Sequence, residues 1–249
     1  TAVGAYVARD EVTNILLPGK ESSDLTTLGE SSLAGVVRVR RDVGANSTLG
    51  ARVTAREGDG YSNRVVGLDG LLRLAKADSI TFQVLRSATE YPDEIRTEFG
   101  QPDGTLTDLG AVLRYEHQSR DWWWKAEASS VGREYRADSG FVPQVDVRQG
   151  TLGLQRTWWG AKDAWRSRTQ WGGDWNYSTD QDGELIENEF ESWANFNGPM
   201  QSYVEIDVGW RERVYEGERF DMAFQHVYGE IRPSGALWLG VAASFGDQL

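Results

Sequence analysis

The sequence has no cysteine, two histidines and six prolines among its 249 residues. Without cysteine, neither a disulfide framework nor a thiolate metal or redox site can form. The histidines, His117 and His226, lie far apart and have no His-x-x-x-His spacing, so a zinc or iron centre is not expected. A phosphate-binding Gly-Lys-Ser/Thr loop and a Gly-x-Ser-x-Gly nucleophile elbow are also absent. We therefore expect no cofactor, no metal and no enzymatic activity.

Positive charge and long apolar runs are scarce as well. Lys and Arg number 26 against 38 Asp and Glu, a formal net charge of −12, which argues against a nucleic-acid binder. No apolar run approaches the roughly 20 residues of a membrane-spanning helix. Strands that are apolar on one face can still cross a bilayer. The first residues show no basic start followed by an apolar run, so we expect a mature product, an expressed piece or a non-exported protein.

The dominant pattern is an alternation of apolar and polar residues with period two. Leu49 and Val53 alternate with Arg52 and Thr54, for example. Such segments are typical of strands with one apolar and one polar face. About thirteen strand candidates follow, each near the ~10 residues that a tilted strand needs to cross a bilayer. They are residues 2–9, 32–41, 47–57, 61–75, 80–89, 109–118, 122–132, 146–157, 165–178, 186–196, 202–214, 220–231 and 237–246.

The apolar residues of these strands are expected to face lipid. An Arg at the bilayer midplane would cost about 2–4 kcal/mol, so the charged residues that alternate with them should face away from lipid. The residues predicted to contact lipid are Leu49, Val53, Val66, Leu68, Leu72, Ile80, Phe82, Val84, Val204, Ile206, Val208, Leu239 and Val241.

The connections alternate in length. Tight links are predicted at 42–46, 76–79, 119–121, 159–163, 197–200 and 232–236. The links between them are mostly longer, at 10–31, 89–108 and 133–145, with shorter ones near 58–60, 179–185 and 215–219. Barrels that run up and down across a membrane have short turns on one side and longer loops on the other. Tryptophans such as Trp122–Trp124 cluster near the tight links, as in the aromatic belts of membrane barrels. The alternative is a soluble β-sandwich whose tryptophans fill a core or line a sugar groove.

Four stretches resemble an uncharacterised family of bacterial outer-membrane barrel domains that typically follow a family-9 carbohydrate-binding-like domain. They are Asn14–Ser23, Arg38–Asp42 leading to Ser47–Gly50, Asn63–Asp69 and Asp138–Val142, in the family's order and spacing. The resemblance covers residues 10–160. It implies an outer-membrane location and a role near glycans, and it supplies no catalytic residues.

Two clusters of carboxylates have alternative interpretations. The segment Asp180–Glu184 has acidic residues around a glycine, as calcium loops do, but it lacks the remaining ligand positions. Asp and Gly are also common hairpin residues, which favours a plain turn. Carboxylates that share strand faces at 187–191 and 205–207 could perform acid–base sugar chemistry, yet a pore lining explains them more simply.

These observations predict one all-β domain over residues 1–249, an antiparallel up-and-down transmembrane β-barrel or a large part of one. The strand number is odd, whereas single-chain bacterial barrels normally have even numbers. Either one strand is misjudged, or neighbouring strands from the same chain or from another protein subunit complete the wall. The predicted function is a passive outer-membrane pore, or an anchor linked to glycan binding or uptake. The alternative function is that of a soluble carbohydrate-binding module, and a glycan-active enzyme ranks third. Expected partners are the lipid bilayer and glycans or small polar solutes, without nucleic acid.

The polar faces, turned inward, would give a lumen with segregated charge. The predicted lining is Arg38, Arg40, Arg52, Arg56, Asp69, Arg73 and Arg114 on the earlier strands, and Glu187, Glu189, Glu191, Glu205 and Asp207 on the later ones. Opposed rows of charge would orient dipolar solutes, whereas direct pairing of opposite charges would fill the interior with a network.

Overall fold

A computed structural model of the protein describes residues 1–161 and 164–247. The chain is all-β with one short helix, α1 (Asp93–Glu98). The strands are β1 (Ala2–Asp10), β2 (Thr13–Pro18), β3 (Ser23–Leu28), β4 (Ser32–Val43), β5 (Ser47–Gly58), β6 (Tyr61–Arg73), β7 (Asp78–Glu90), β8 (Leu106–Gln118), β9 (Trp122–Val131), β10 (Val147–Trp159), β11 (Arg168–Thr179), β12 (Leu185–Asn197), β13 (Tyr203–Tyr215), β14 (Glu218–Ser234) and β15 (Leu237–Gly246). No helix in the described part of the chain is long and apolar enough to span a membrane.

Thirteen strands form one antiparallel sheet in the order β1-β4-β5-β6-β7-β8-β9-β10-β11-β12-β13-β14-β15. This confirms the predicted up-and-down sheet and its strand count. A barrel closed within this chain is not formed, because among the described residues β1 and β15 are the two edges of an open sheet. The alternative, a large part of a barrel whose wall is completed by further strands, stays a prediction. The membrane-spanning role of the sheet remains a prediction. The predicted link 159–163 lies partly outside the described residues, at 162–163.

Two of the predicted loops contain secondary structure. The segment 10–31 holds the hairpin β2–β3, whose register pairs Thr13 with Leu28 and Pro18 with Ser23. The segment 89–108 holds α1. The alternation of residues did not predict the hairpin, because each of its strands is only six residues long. Such strands are too short to show a sustained alternation.

The chain divides into two compact units. The first unit comprises Thr1–Arg114, Ala128–Gln149 and Thr179–Glu184, and the second comprises Tyr115–Glu127, Gly150–Ser178 and Leu185–Leu249. The first unit contains the longer connections, including the β2–β3 hairpin, α1 and residues 132–146. A tight turn at Gly60, with a φ of 62°, joins β5 to β6 in this unit. Glycine suits this left-handed conformation because it has no Cβ.

The buried core is small and lies under these connections. In the first unit Ile15 and Leu17 of the hairpin pack with Tyr61, Tyr91 and Ile95, and Leu106 completes the cluster. By contrast, ten of the thirteen residues predicted to face lipid are exposed, and Leu72, Ile80 and Phe82 are half-buried. None of the thirteen belongs to the buried core of the described residues. The strand registers place Leu49 beside Gly70 and Val53 beside Val66, so each apolar row lies on one face.

Candidate functional site

The charged face of the sheet in the first unit begins with three arginines, which we call the basic strip: Arg38, Arg40 and Arg52. Arg38 is directly opposite Arg52 in the β4–β5 register, and Arg40 is opposite Gly50. Like charges that face each other on adjacent strands repel. The basic strip therefore needs a counter-charge, or water, close by.

Asp69 provides this counter-charge. It lies opposite Gly50 in the β5–β6 register, and its Oδ1 accepts a hydrogen bond of 2.6 Å from Nη2 of Arg38. A Cβ at position 50 would stand 2.8 Å from Oδ1 of Asp69, so the glycine makes room for the carboxylate. Among the described residues, no ion pair forms between a carboxylate and Arg40 or Arg52 at 4.0 Å or less. These two charges therefore remain available to water and solutes.

Arg56 shares this face but is buried, with 7% of its surface exposed. It donates hydrogen bonds to Oγ of Ser32 at 3.1 Å and to the carbonyl of Asn14 at 3.0 Å. Oδ2 of Asp10 lies 3.0 Å from its Nη2. The predicted pore-lining residue is thus placed under the β2–β3 hairpin, where it holds the connection between β1 and β4. Arg73 and Arg114, also predicted to line the pore, are exposed.

The second unit carries an acidic strip, formed by Glu187, Glu189, Glu191, Glu205 and Asp207. The β12–β13 register puts Glu187 opposite Arg213, Glu189 opposite Arg211 and Glu191 opposite Gly209, while Asp207 and Glu205 follow on the same face. Arg211 forms ion pairs with Glu189 and Glu187. Pairing of opposite charges therefore neutralises one end of the acidic strip. Glu191, Glu205 and Asp207 extend beyond this arginine.

A hydrogen-bonded cluster around Asp138 lies at the loop end of the first unit. The Asp138 carboxylate accepts hydrogen bonds from the hydroxyls of Tyr61 at 2.8 Å and Tyr91 at 3.1 Å. Its backbone N–H donates to Oδ1 of Asn63 at 3.2 Å. Burial raises the pKa of Asp138, although the two tyrosines and the nearby Arg136 and Arg56 favour its charged form.

Three of the stretches singled out in the sequence, Asn14–Ser23, Asn63–Asp69 and Asp138–Val142, meet in this cluster. Arg56 binds the carbonyls of Asn14 and Asp138, and Asn63 Nδ2 donates to Oγ1 of Thr89 at 2.7 Å and to the carbonyl of Arg136 at 3.1 Å. Asn63 and Thr89 have no exposed surface. The polar residues in these stretches therefore fix the long connections onto the strands.

The segment 180–184 is a turn in which both carboxylate oxygens of Asp180 already accept hydrogen bonds. Oδ1 of Asp180 accepts the backbone N–H groups of Asp182 at 3.0 Å and Glu184 at 2.9 Å, and Oδ2 accepts a hydrogen bond from Nζ of Lys20 at 2.6 Å. The hydrogen bond from Lys20 lowers the pKa of Asp180. Within residues 1–161 and 164–247, no group of three or more His, Cys, Asp or Glu side chains could hold a metal ion.

No family model, no curated protein and no solved structure matches this chain. The candidate site is therefore defined by its geometry alone. Sequence reasoning found the charged faces but missed the roles of Gly50, Asp138 and Asn63. Asp138 and Asn63 lie in the stretches Asp138–Val142 and Asn63–Asp69, to which the sequence alone assigned no role.

Proposed function

We propose that this chain forms a wall of a bacterial outer-membrane β-barrel and serves as a passive pore for small polar solutes. The observation that carries the proposal is the split between faces. In each unit the exposed apolar rows lie on one face and the basic or acidic strip lies on the other. The β5–β6–β7 registers also place charged side chains, Arg64 and Arg86 among them, on the apolar face of the first unit. A soluble monomer rarely exposes contiguous apolar patches larger than a few hundred Å². A bilayer covers such a surface with hydrocarbon.

The open sheet places a condition on this proposal. Unpaired strand edges in hydrocarbon cost several kcal/mol per polar group. The edges β1 and β15 must therefore pair with strands when the sheet is in a membrane. Such pairing would also keep the charged face in contact with water, where Arg40 and Arg52 could act on passing ions.

The absence of cysteine makes a labelling experiment direct. Single cysteines are introduced at Val53 and Val84 on the apolar face, and at Thr54 and Thr81 on the charged face, as matched controls on the same two strands. Each is labelled with an environment-sensitive fluorophore after reconstitution into liposomes. We expect brominated lipids to quench the labels at positions 53 and 84, and iodide in water to quench those at 54 and 81.

Conductance in planar bilayers then tests the pore itself. We expect ohmic single-channel currents from the reconstituted chain. A chain that stays dispersed without detergent, with all four labels quenched by iodide, would contradict the membrane location. If the labels at positions 53 and 84 face lipid but no current is seen, the pore is contradicted and the membrane location still stands.

A further inference from the structure

The apolar face of the second unit contains a groove of about 680 Å³, which we call the aromatic groove. Its position on this face follows from one hydrogen bond and the β12–β13 register. Nε1 of Trp193 donates to Oε1 of Gln155 at 2.9 Å, which places these residues on the face of the acidic strip. Their sequence neighbours therefore point the other way. The aromatic groove is lined on that other face by Trp122, Trp124, Leu154, Trp158, Trp171, Trp175 and Phe190.

The floor of the groove lies at Gly173. A Cβ here would stand 2.7 Å from the carbonyl oxygen of Glu191, so the backbones of β11 and β12 leave no room for a side chain. Trp171 and Trp175 flank the glycine on the same face and are 58% and 45% exposed. Their Cα atoms are about 13 Å apart along an extended strand. The gap between the two indoles is therefore wide enough for an alkyl chain.

The indole N–H groups of Trp171 and Trp175, the two tryptophans that flank Gly173, are already paired with side chains of β12. Nε1 of Trp171 donates to Oγ of Ser192 at 3.2 Å, and Ser192 donates to the carbonyl of Gly172 at 3.0 Å. Nε1 of Trp175 donates to Oδ1 of Asn188 at 2.7 Å. A sugar would lose water from its hydroxyls and gain few partners here, which is unfavourable. Ring and alkyl surfaces instead match a hydrocarbon chain.

In the described part of the chain, three charged residues line the groove: Arg156, Lys125 and Asp174. Lys125 lies over the ring of Trp123, whereas Arg156 lies at the end of the groove near the β8–β9 turn. The Arg156 guanidinium is 4.6 Å from the ring centroid of Trp122 and 5.9 Å from that of Trp158. Oδ2 of Asp121 forms an ion pair with Nη1 of Arg156 at 3.9 Å, which is too long for a hydrogen bond, so this carboxylate does not occupy the N–H donors of the guanidinium. A guanidinium has five N–H donors and binds phosphate with two of them at once. The chemical group that would suit this end of the groove is therefore an anionic group on an otherwise apolar molecule.

We propose that the aromatic groove binds one phospholipid, with an acyl chain over Gly173 and the phosphate on Arg156. This inference rests on the proposed membrane location of the sheet. It goes beyond that location, because it assigns one defined lipid to one site rather than general contact with the bilayer. The tryptophans pack against the upper acyl chain, and the arginine fixes the depth of the headgroup.

The test is native mass spectrometry of the full chain released from detergent micelles that contain one added lipid. Phosphatidylglycerol is compared with a diacylglycerol of the same chains, which lacks the phosphate, and with glycerol 3-phosphate, which lacks the chains. Maltoheptaose tests a glycan as occupant. We expect one retained phosphatidylglycerol, with about tenfold tighter apparent binding than diacylglycerol, the size of one charge-assisted contact. Glycerol 3-phosphate and maltoheptaose should not be retained.

Three variants make the test specific. Arg156→Gln should bring phosphatidylglycerol down to the level of diacylglycerol. Trp171→Ala should weaken both lipids by a similar factor while the preference for phosphate remains. Arg219→Gln is the matched control, because it removes an exposed arginine of the same unit that pairs with Glu212 and lies outside the groove lining. It should bind as the unmodified chain does.

The outcomes separate this inference from the proposed function. Equal retention of both lipids by the unmodified chain, or an unchanged preference in Arg156→Gln, overturns the phospholipid site even if the labels on β5 and β7 face lipid. Retention of maltoheptaose in place of lipid overturns it in favour of a glycan. Labels that face water on both faces overturn the membrane location, and the lipid site with it.

Discussion

The carboxylate of Asp69 lies over Gly50 and uses the space that a side chain at position 50 would fill. From there it reaches Arg38, whose Nη2 is 2.6 Å from Oδ1. Arg38 itself is opposed by Arg52 across β4 and β5. One glycine thus allows two arginines to occupy neighbouring positions on the charged face.

We predict that Gly50→Ala destabilises the protein by about 0.5–1 kcal/mol, since Asp69 must rotate away from a half-exposed Arg38. Gly4→Ala is the matched control. Gly4 lies on β1, opposite Arg38 of β4, and a Cβ added there would have no atom within 4 Å. This control should be neutral or slightly stabilising, as alanine restricts the unfolded chain. Urea unfolding in detergent, followed by tryptophan fluorescence, measures both. Equal midpoints for the two variants would contradict the role given to Gly50.

A second prediction concerns Asp138. Asp138→Ala leaves the buried hydroxyls of Tyr61 and Tyr91 without their acceptor, so we expect a loss of about 1–3 kcal/mol in the docking of residues 132–146. Limited proteolysis of this segment is the measurement, with the exposed neighbour Ser139→Ala as control. Asp138→Asn keeps an acceptor oxygen and should remain resistant. Equal cleavage of Asp138→Ala and the control would show that the cluster does not hold the segment.

Asp138 also gives a pH dependence with a definite sign. Burial raises its pKa in the folded protein above the ordinary value near 3.8 that it regains on unfolding. Between these two pKa values the folded state binds more protons than the unfolded state, so the free energy of unfolding falls as the pH rises. Asp138→Asn should lack this decline. The same urea titration, repeated from pH 3.5 upward at about half-unit intervals, checks the sign.

The Lys20–Asp180 pair should have the opposite dependence at acid pH. Because the pKa of Asp180 is lowered, its contribution is complete above the ordinary carboxyl value near 3.8 and is lost as the pH falls through the lowered pKa. The raised pKa of Lys20 keeps the pair intact through neutral pH. Hydrogen exchange at the Val145 amide is the measurement, because this N–H donates to the carbonyl of Gly19, next to Lys20, at 3.1 Å. After correction for the intrinsic rate, exchange should accelerate as the pH falls through the lowered pKa of Asp180. In Lys20→Met the Val145 amide should exchange faster at neutral pH than in the unmodified chain, and its corrected rate should show no further increase at acid pH.

The strands were predictable because their signal is local. Alternation at Leu49–Thr54 depends only on neighbouring residues, and it identified both the strand and the faces that the register confirms. The β2–β3 hairpin depends on contacts between distant segments, such as that of Arg56 with Asn14. A single sequence does not show these contacts. The same limit explains why Arg56, predicted among the pore-lining charges, is placed in a buried network.

For a related reason, local alternation does not distinguish a barrel closed within the chain from an open part of one. Alternation predicts that a strand pairs on both sides, and it does so equally for β1, β5 and β15. Whether an edge remains open depends on which strands are present and how the sheet curves, and neither has a local pattern. The aromatic groove was not predicted either, because the role of Gly173 depends on the carbonyl of Glu191, which lies on the adjacent strand.

The last prediction concerns ion selectivity of the proposed pore. Arg38 is paired with Asp69, so the charges of the basic strip that can act on ions are those of Arg40 and Arg52. The double variant Arg40→Ser, Arg52→Ser should shift the reversal potential in a salt gradient toward cations, and Arg38→Ser alone should shift it less. Arg64→Ser is the control, because Arg64 lies on the apolar face and pairs with Glu57 at 2.7 Å. If the double variant and Arg64→Ser give the same reversal potential as the unmodified chain, the basic strip does not face the ion path, and the charged face has another role.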